Sequence, residues 1–318
     1  MRNCCLYNGF FQITGHRISR DLQQHVFDCS KSFFTMPLDK KNEISKLNNS
    51  WNRGYELMGS QILEAGTNPE LKEGLYIGEE IPKDHPYFVN KKLNSGPNFW
   101  PSNVPDPEDF RKTSMAYYHA VYELACDVLR LIALTLGVDE SFFDSFTNDA
   151  VATMRFLHYP PAAPDSDEKL SRGIGAHTDF GAITLLMQDT VDGLQVLDES
   201  TGEWFDVVPV PGAYVVNLGN LFMRWSNDVY KSNTHRVINK SGKERYSIPY
   251  FFSGNPDFLC KCLPNCCEAD KKPKYDPRTV ADIVLSGYRE SYGRAEQYKA
   301  EFSKKQERAV QPPAVPAA

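Results

Sequence analysis

The spacing of apolar positions along the chain changes twice. Between Ser19 and Pro37 they recur at Leu22, Val26, Cys29 and Phe33, the three-to-four spacing of one helix face. Ser19 offers an N-cap ahead of Asp21, and Pro37 a stop. A longer helix is predicted from Pro107 to Gly137, with Val121, Leu124, Ala125, Val128, Leu131, Ile132 and Thr135 on one side. From Val151 the period drops to two. Ala152 to Tyr159, Ala182 to Met187, Leu194 to Leu197, Trp204 to Val208, Ala213 to Leu218, His235 to Ile238 and Arg245 to Phe252 are short runs broken by Gly, Pro, Asn and Asp. That punctuation predicts an antiparallel sandwich or barrel. Val280 to Arg308 returns to a helical pattern, and Leu6 to Ile13 reads as a helix end, a Gly turn and a short strand. The order is helices, a double-sheet β core, then helices, with no internal repeat.

Two stretches escape these periods. Asn48 to Pro107 is rich in Asn, Gly and Pro, with Trp51, Tyr55, Tyr76, Tyr87, Phe88 and Trp100 interspersed. A loop carrying aromatics is expected to be binding surface rather than linker, which makes Arg53 and Tyr55 candidates for substrate contact. Pro312 to Pro316 reads as a disordered tail. The expected division is a helical and loop region over 1–150, a β core over 151–256, and a loop, helix and tail over 257–318, acting as one catalytic unit.

Composition narrows the classes of partner. The chain is 41% hydrophobic and 24% charged, as ordinary soluble proteins are. Its formal net charge of -6 gives no broad reason to expect nucleic acid or an anionic membrane. No apolar run approaches the roughly 20 residues of a spanning helix. Met1 to Cys5 lacks the apolar core of a secretory signal, so a cytoplasmic location with reduced thiols is expected. Cys260, Cys262, Cys266 and Cys267 crowd around Pro264 instead of forming two spaced Cys-x-x-Cys pairs. Reduced loop and core cysteines are expected there rather than a zinc site.

Candidate chemistry begins at Gly175-Ala176-His177-Thr178-Asp179-Phe180-Gly181. On an extended strand, side chains two apart project from one face, which would set His177 beside Asp179. His235 is the candidate for a third ligand. Two histidines and one carboxylate leave three metal positions open, the arrangement by which non-haem Fe(II) holds a cosubstrate and O2 together. Arg245 and Ser247 share a strand face by the same spacing, and a guanidinium fork with a hydroxyl beside it makes a carboxylate receptor. Tyr159 is placed to add a phenolic hydroxyl to the same anion. Fe(II) with two neutral imidazoles and one carboxylate keeps one net positive charge, so a dianion chelating it would bring its other carboxylate to Arg245. A 2-oxo-dicarboxylate fits both ends. Oxidative decarboxylation would then give succinate, CO2 and an oxidant able to attack an unactivated C–H bond.

With these residues in place the chain resembles the 2-oxoglutarate- and Fe(II)-dependent dioxygenases of the isopenicillin N synthase-like superfamily, of the fungal tailoring-oxygenase type. The resemblance is carried by Gly9 to His16, Asn52-Arg53-Gly54-Tyr55-Glu56, His158-Tyr159-Pro160-Pro161, His177-Thr178-Asp179-Phe180-Gly181, Gly193-Leu194-Gln195-Val196, Val216-Asn217-Leu218-Gly219, His235-Arg236-Val237 and Arg245-Tyr246-Ser247, in family order. It implies a mainly β fold with flanking helices, a double-stranded β-helix (jelly-roll) core buttressed by helices from both ends of the chain. It also implies His177, Asp179 and His235 as iron ligands, Arg245 and Ser247 as the 2-oxoglutarate carboxylate pair, and Tyr159 beside them. Fe(II) is the implied metal, 2-oxoglutarate and O2 the cosubstrates, and a small organic molecule the substrate. Leu157 stands where many relatives carry Asn. Relatives also have a strand and part of a helix ahead of the Gly-Phe-Phe motif, so a shortened N-terminus is expected. Two rival readings share these motifs: an iron oxidase that does not use 2-oxoglutarate, and a non-catalytic iron or 2-oxoglutarate binding protein. His16, His25 and His158 are expected to be structural, Arg224 and Arg236 ion partners, and Lys299 to Arg308 a solvated helix face.

Overall fold

The computed structural model describes residues 1–162, 166–167, 172–267 and 271–310, with side chains to Glu301. The predicted tail lies outside them, as do most side chains of the Lys299 to Arg308 face. Helix α1 (Arg2–Tyr7) turns at Gly9 into strand β1 (Phe10–Ile13). Helix α2 (Arg20–Phe34) begins as predicted, with the Ser19 hydroxyl accepting from the Leu22 amide at 3.2 Å, and buries Val26, Cys29 and Phe33. Short helix α3 (Leu38–Asn42), strands β2 (Gly54–Glu56) and β3 (Glu73–Gly78) and helix α4 (Pro86–Val89) follow. Helix α5 (Pro107–Thr135) is capped by Asp106, and Gly137 stops it with φ +73°. Its predicted stripe holds except at Leu131, which is 50% exposed.

After helix α6 (Asp144–Thr147) come strands β4 (Val151–Tyr159), β5 (Ile174–His177), β6 (Ile183–Gln188), β7 (Leu194–Asp198), β8 (Glu203–Asp206) and β9 (Tyr214–Leu218). Helix α7 (Asn220–Trp225), strands β10 (His235–Val237), β11 (Arg245–Gly254), β12 (Leu259–Cys260) and β13 (Arg278–Thr279), and helix α8 (Val280–Val310) complete the chain. Among the described residues no helix is long and apolar enough to cross a membrane. All eight cysteines are free thiols.

Eleven strands form the jelly roll, a seven-stranded sheet in the order β1-β9-β6-β11-β4-β3-β2 and a four-stranded sheet in the order β5-β10-β7-β8, while β12 and β13 pair with each other. Three strands of the larger sheet come from the first 150 residues: β1, expected as a short strand, and β2 and β3, which lie where only helices and loop were expected. β2 and β3 escaped notice because β3 (Glu-Gly-Leu-Tyr-Ile-Gly) is buried on both faces and shows no alternation.

Strict alternation within the central strands sorts side chains between two cores. On β11, Ile248, Tyr250 and Phe252 pack with residues of α2 and α5, as do Met154 and Phe156 of β4, Leu185 and Met187 of β6, and Val216 of β9. The residues between them, Arg245, Ser247, Pro249 and Phe251 on β11, Arg155, Leu157 and Tyr159 on β4, and Thr184 on β6, face the cavity between the sheets. A one-residue slip of β11 would exchange the two sets, so burial of the helix-facing set fixes which groups the cavity receives.

Candidate active site

His177 ends β5, and His235 opens β10 directly opposite it in the antiparallel pairing, with ring centroids 4.3 Å apart. Asp179 lies past the end of β5 rather than on it. Its place is set by the loop: the Asn220 amide donates to the Asp179 carbonyl at 2.8 Å. A Cβ at Gly219 would stand 2.3 Å from the Gly181 carbonyl oxygen, so only glycine lets the start of α7 pass so close.

Hydrogen bonds around the three side chains leave three atoms uncommitted. His177 Nδ1 lies 2.8 Å from the Gly175 carbonyl and His235 Nδ1 3.1 Å from the Asn233 carbonyl. A carbonyl only accepts, so each Nδ1 carries the hydrogen and each Nε2 keeps its lone pair. Asp179 Oδ2 accepts from Thr184 Oγ1 at 2.5 Å and Asn217 Nδ2 at 2.7 Å. Oδ1 faces the two Nε2 atoms at 3.7 and 3.8 Å. One atom from each residue falls within a sphere of mutual separations under 4.8 Å. Burial pushes the His177 imidazolium well below its ordinary range, with His235 adding to the effect. Burial alone would raise the 6%-exposed Asp179 carboxyl; the neighbouring histidines and its two hydrogen bonds outweigh that and hold it low. An anionic carboxylate oxygen with two neutral imidazole lone pairs is a donor set suited to a divalent transition metal.

Arg245 is wholly buried in the same cavity. Its Nη2 donates to Gln188 Oε1 at 2.8 Å, while among the described residues Nε and Nη1 have no partner. Asp189 stands near, but its oxygens are taken by the backbone amides of Tyr246 at 2.6 Å and Val191 at 2.9 Å. Unpaired buried donors on a cation cost upward of about 1–3 kcal/mol, which an anionic ligand recovers. Gly193, at φ +144°, lets the neighbouring loop approach: a Cβ there would sit 3.5 Å from Arg245 Nε and 2.8 Å from the Ile238 carbonyl. Ser247 shares the face of Arg245 and lines the cavity. Tyr159 meets Arg245 through its ring, whose centroid is 4.9 Å from the guanidinium carbon.

Arg53 and Tyr55 are not brought to this cavity. Arg53 clamps the aromatic loop instead, donating to the carbonyls of Asn94 at 2.6 Å and Asn52 at 3.3 Å. Tyr55 is packed in the helix-facing core and donates to Glu73 at 2.5 Å. The substrate role expected of both is therefore corrected: aromatic density in that loop serves mainly its own packing, as where Trp51 meets Phe88 and Phe99 edge-on. His158 faces away from Tyr159, as expected, and lies between Glu73 and Glu244. Arg236 stacks 3.9 Å over Trp204, and Arg224 4.8 Å over Tyr275. Sequence reasoning missed Gln61, Lys72 and Arg155 in the cavity wall, and Thr184 as a support of Asp179. Arg155 was detectable, sharing strand parity with Leu157 and Tyr159; Lys72 carried no local signal.

The geometry defines a jelly-roll protein in which three converging donor atoms suited to a divalent metal share one cavity with a buried, partly unpartnered arginine. Comparison with known proteins gives the same class. Residues 150–254 match the model of the 2OG-Fe(II) oxygenase superfamily, and residues 1–103 that described as non-haem dioxygenase in morphine synthesis N-terminal. A 2-oxoglutarate-Fe(II) type oxidoreductase of Emericella nidulans, hxnY, is 68% identical over 305 residues, 96% of this chain and 87% of the relative. A protein of the same description from Aspergillus fumigatus is 52% identical over 301 residues, 95% and 89% of the two chains. Among solved structures, a full-length Neurospora crassa protein in complex with alpha-KG and thymine superposes with a TM-score of 0.77 at 31% identity, covering 89% of this chain and 88% of that one. The chain belongs to the 2-oxoglutarate- and Fe(II)-dependent oxygenase superfamily. It is a dioxygenase with Fe(II) as metal and 2-oxoglutarate and O2 as cosubstrates.

Proposed function

We propose that His177 Nε2, His235 Nε2 and Asp179 Oδ1 hold the iron, and that Arg245 and Ser247 take the far carboxylate of 2-oxoglutarate. The substrate is a small organic molecule, oxidised at a C–H bond in the cytoplasm. When bound, Fe(II) supplies with 2-oxoglutarate and O2 the oxidising power that breaks that bond, with succinate and CO2 released. The chain's own residues do the rest. Thr184 and Asn217 fix the Asp179 carboxylate by its second oxygen, and the Gly175 and Asn233 carbonyls fix the imidazole tautomers. Arg245 presents unspent donors to an incoming carboxylate, and Gln188 and the Tyr159 ring hold the guanidinium while it waits. Tyr159 thereby positions Arg245 through its ring.

The reading is carried by one observation: a fully buried arginine, two of whose donor atoms have no partner among the described residues, opens into the cavity that holds the three converging donor atoms. The test is succinate release with iron-loaded protein in the presence of metabolites from extracts of a producing cell. Substrate loss matched mole for mole by succinate supports it. Substrate turnover without consumption of 2-oxoglutarate overturns it.

A further inference from the structure

We propose that the cavity holds a second anion site, built on Arg155, and that the molecule this enzyme oxidises carries a carboxylate seated there. The inference rests on the assignment of Arg245 to the cosubstrate. Arg155 lies on the cavity face of β4, four residues before Tyr159, and Tyr159 is the cross-strand partner of Arg245. At about 3.3 Å per residue the two positions are on the order of 13 Å apart along the sheet. That spacing leaves room for two anions, each on its own guanidinium.

Arg155 is 8% exposed, and among the described residues its Nε has no hydrogen-bond partner. Its guanidinium carbon stands 4.3 Å from the Tyr76 ring centroid and 4.7 Å from that of Phe251. Rings satisfy the face of a guanidinium but not its N–H edge, which requires acceptors. Beside it, Lys72 also lines the cavity. Its Nζ is 3.1 Å from Glu70 Oε2, 3.6 Å from Glu56 Oε2 and 3.2 Å from Gln61 Oε1. Glu56 is already matched to Lys46 at 2.5 Å. The buried cluster therefore sets three cations, Lys46, Lys72 and Arg155, against two carboxylates, Glu56 and Glu70. Of the five, only Lys72 and Arg155 reach the cavity wall; both acids stand behind it. A buried cluster with one positive charge in excess, turned cation-first toward a cavity, is completed by an anion from outside. Phe251 and Tyr288 give the same end of the cavity flat ring surface, suited to a compact carboxylic acid.

The experiment is equilibrium dialysis of benzoate and of benzamide, a matched acid and amide, against iron-loaded protein saturated with 2-oxoglutarate under exclusion of O2. Benzoate is expected to bind about tenfold or more tightly than benzamide, the scale of one charge-assisted hydrogen bond. Arg155→Gln, its fold checked by circular dichroism, is expected to abolish that preference while keeping its affinity for 2-oxoglutarate. Arg155→Lys, which keeps the charge but loses the planar fork, is expected to retain the preference with weaker benzoate binding. No benzoate binding at millimolar concentration, equal binding of acid and amide, or a preference that survives in folded Arg155→Gln would each overturn the second site. Unchanged benzoate affinity in Arg155→Lys would remove Arg155 from it. The cosubstrate reading fails by a different result: 2-oxoglutarate affinity lost in Arg155→Gln and kept in Arg245→Gln.

Discussion

Asp179 and Arg245 are buried in one cavity, yet their surroundings differ in kind. Around Asp179 nearly every polar atom is already spent: Thr184 and Asn217 occupy one carboxylate oxygen, and backbone carbonyls occupy one nitrogen of each histidine. What is left over is three lone-pair atoms aimed at a common point. Around Arg245 the reverse holds, since Gln188 accepts from one nitrogen and two others are without partners among the described residues. A metal site must be oriented before its ligand arrives, because a misplaced lone pair loses most of its affinity. A carboxylate receptor must remain short of partners, because internal neutralisation would leave nothing to bind with. One cavity therefore contains a site that is finished and a site that is deliberately incomplete.

The largest effect that would break this contrast comes from Asp179→Ala. Iron content after gel filtration, measured by elemental analysis, is expected to fall to background, and succinate release with it. Full iron occupancy in that variant would remove Asp179 from the ligand set. Smaller effects are expected one layer out. Thr184→Val and Asn217→Leu should each weaken iron affinity by about 10–100-fold while leaving the fold intact, the usual consequence of freeing a ligating carboxylate to rotate. An unchanged metal titration curve would mean that Asp179 is oriented by the loop backbone alone.

The smallest expected effect lies on the other face of β4. Burial would lower the His158 pKa, but its hydrogen bonds to Glu73 and Glu244 outweigh burial and raise it above the ordinary 6.5. A raised histidine contributes stability that is fully present below about pH 6.5 and lost as pH rises through the folded-state pKa. The melting temperature of wild-type protein is therefore expected to exceed that of His158→Gln at pH 6, with the gap narrowing toward pH 9. A gap that widened with pH would reverse the sign assigned to this clamp.

Much of the candidate site's arrangement was legible because it is carried by residue type and by the period of two. Arg245 and Ser247 share a strand face, and the structure keeps them on one. His177 and Asp179 were read by the same rule for a different reason: β5 ends at His177, and it is the loop tied to Asn220 that brings Asp179 round. The pairing of His235 opposite His177 could not be read, since it depends on strand order. Local pattern also failed where burial is two-sided, as in β3, whose uniformly buried run has no alternation to detect. Arg53 and Tyr55 misled because an aromatic loop looks alike whether its rings face a ligand or one another. Lys72 reaches the cavity only through the placement of β3 beside β4, a contact of high sequence separation.

The proposed pairing of a finished metal site with an unfinished carboxylate receptor is tested most directly by titrating 2-oxoglutarate into iron-loaded Arg245→Gln protein under exclusion of O2. Iron should remain at the wild-type stoichiometry while 2-oxoglutarate affinity drops about a hundredfold, the scale of a charge-assisted pair in a buried setting. Wild-type affinity for 2-oxoglutarate in that variant would contradict the assignment of Arg245, whatever the triad holds.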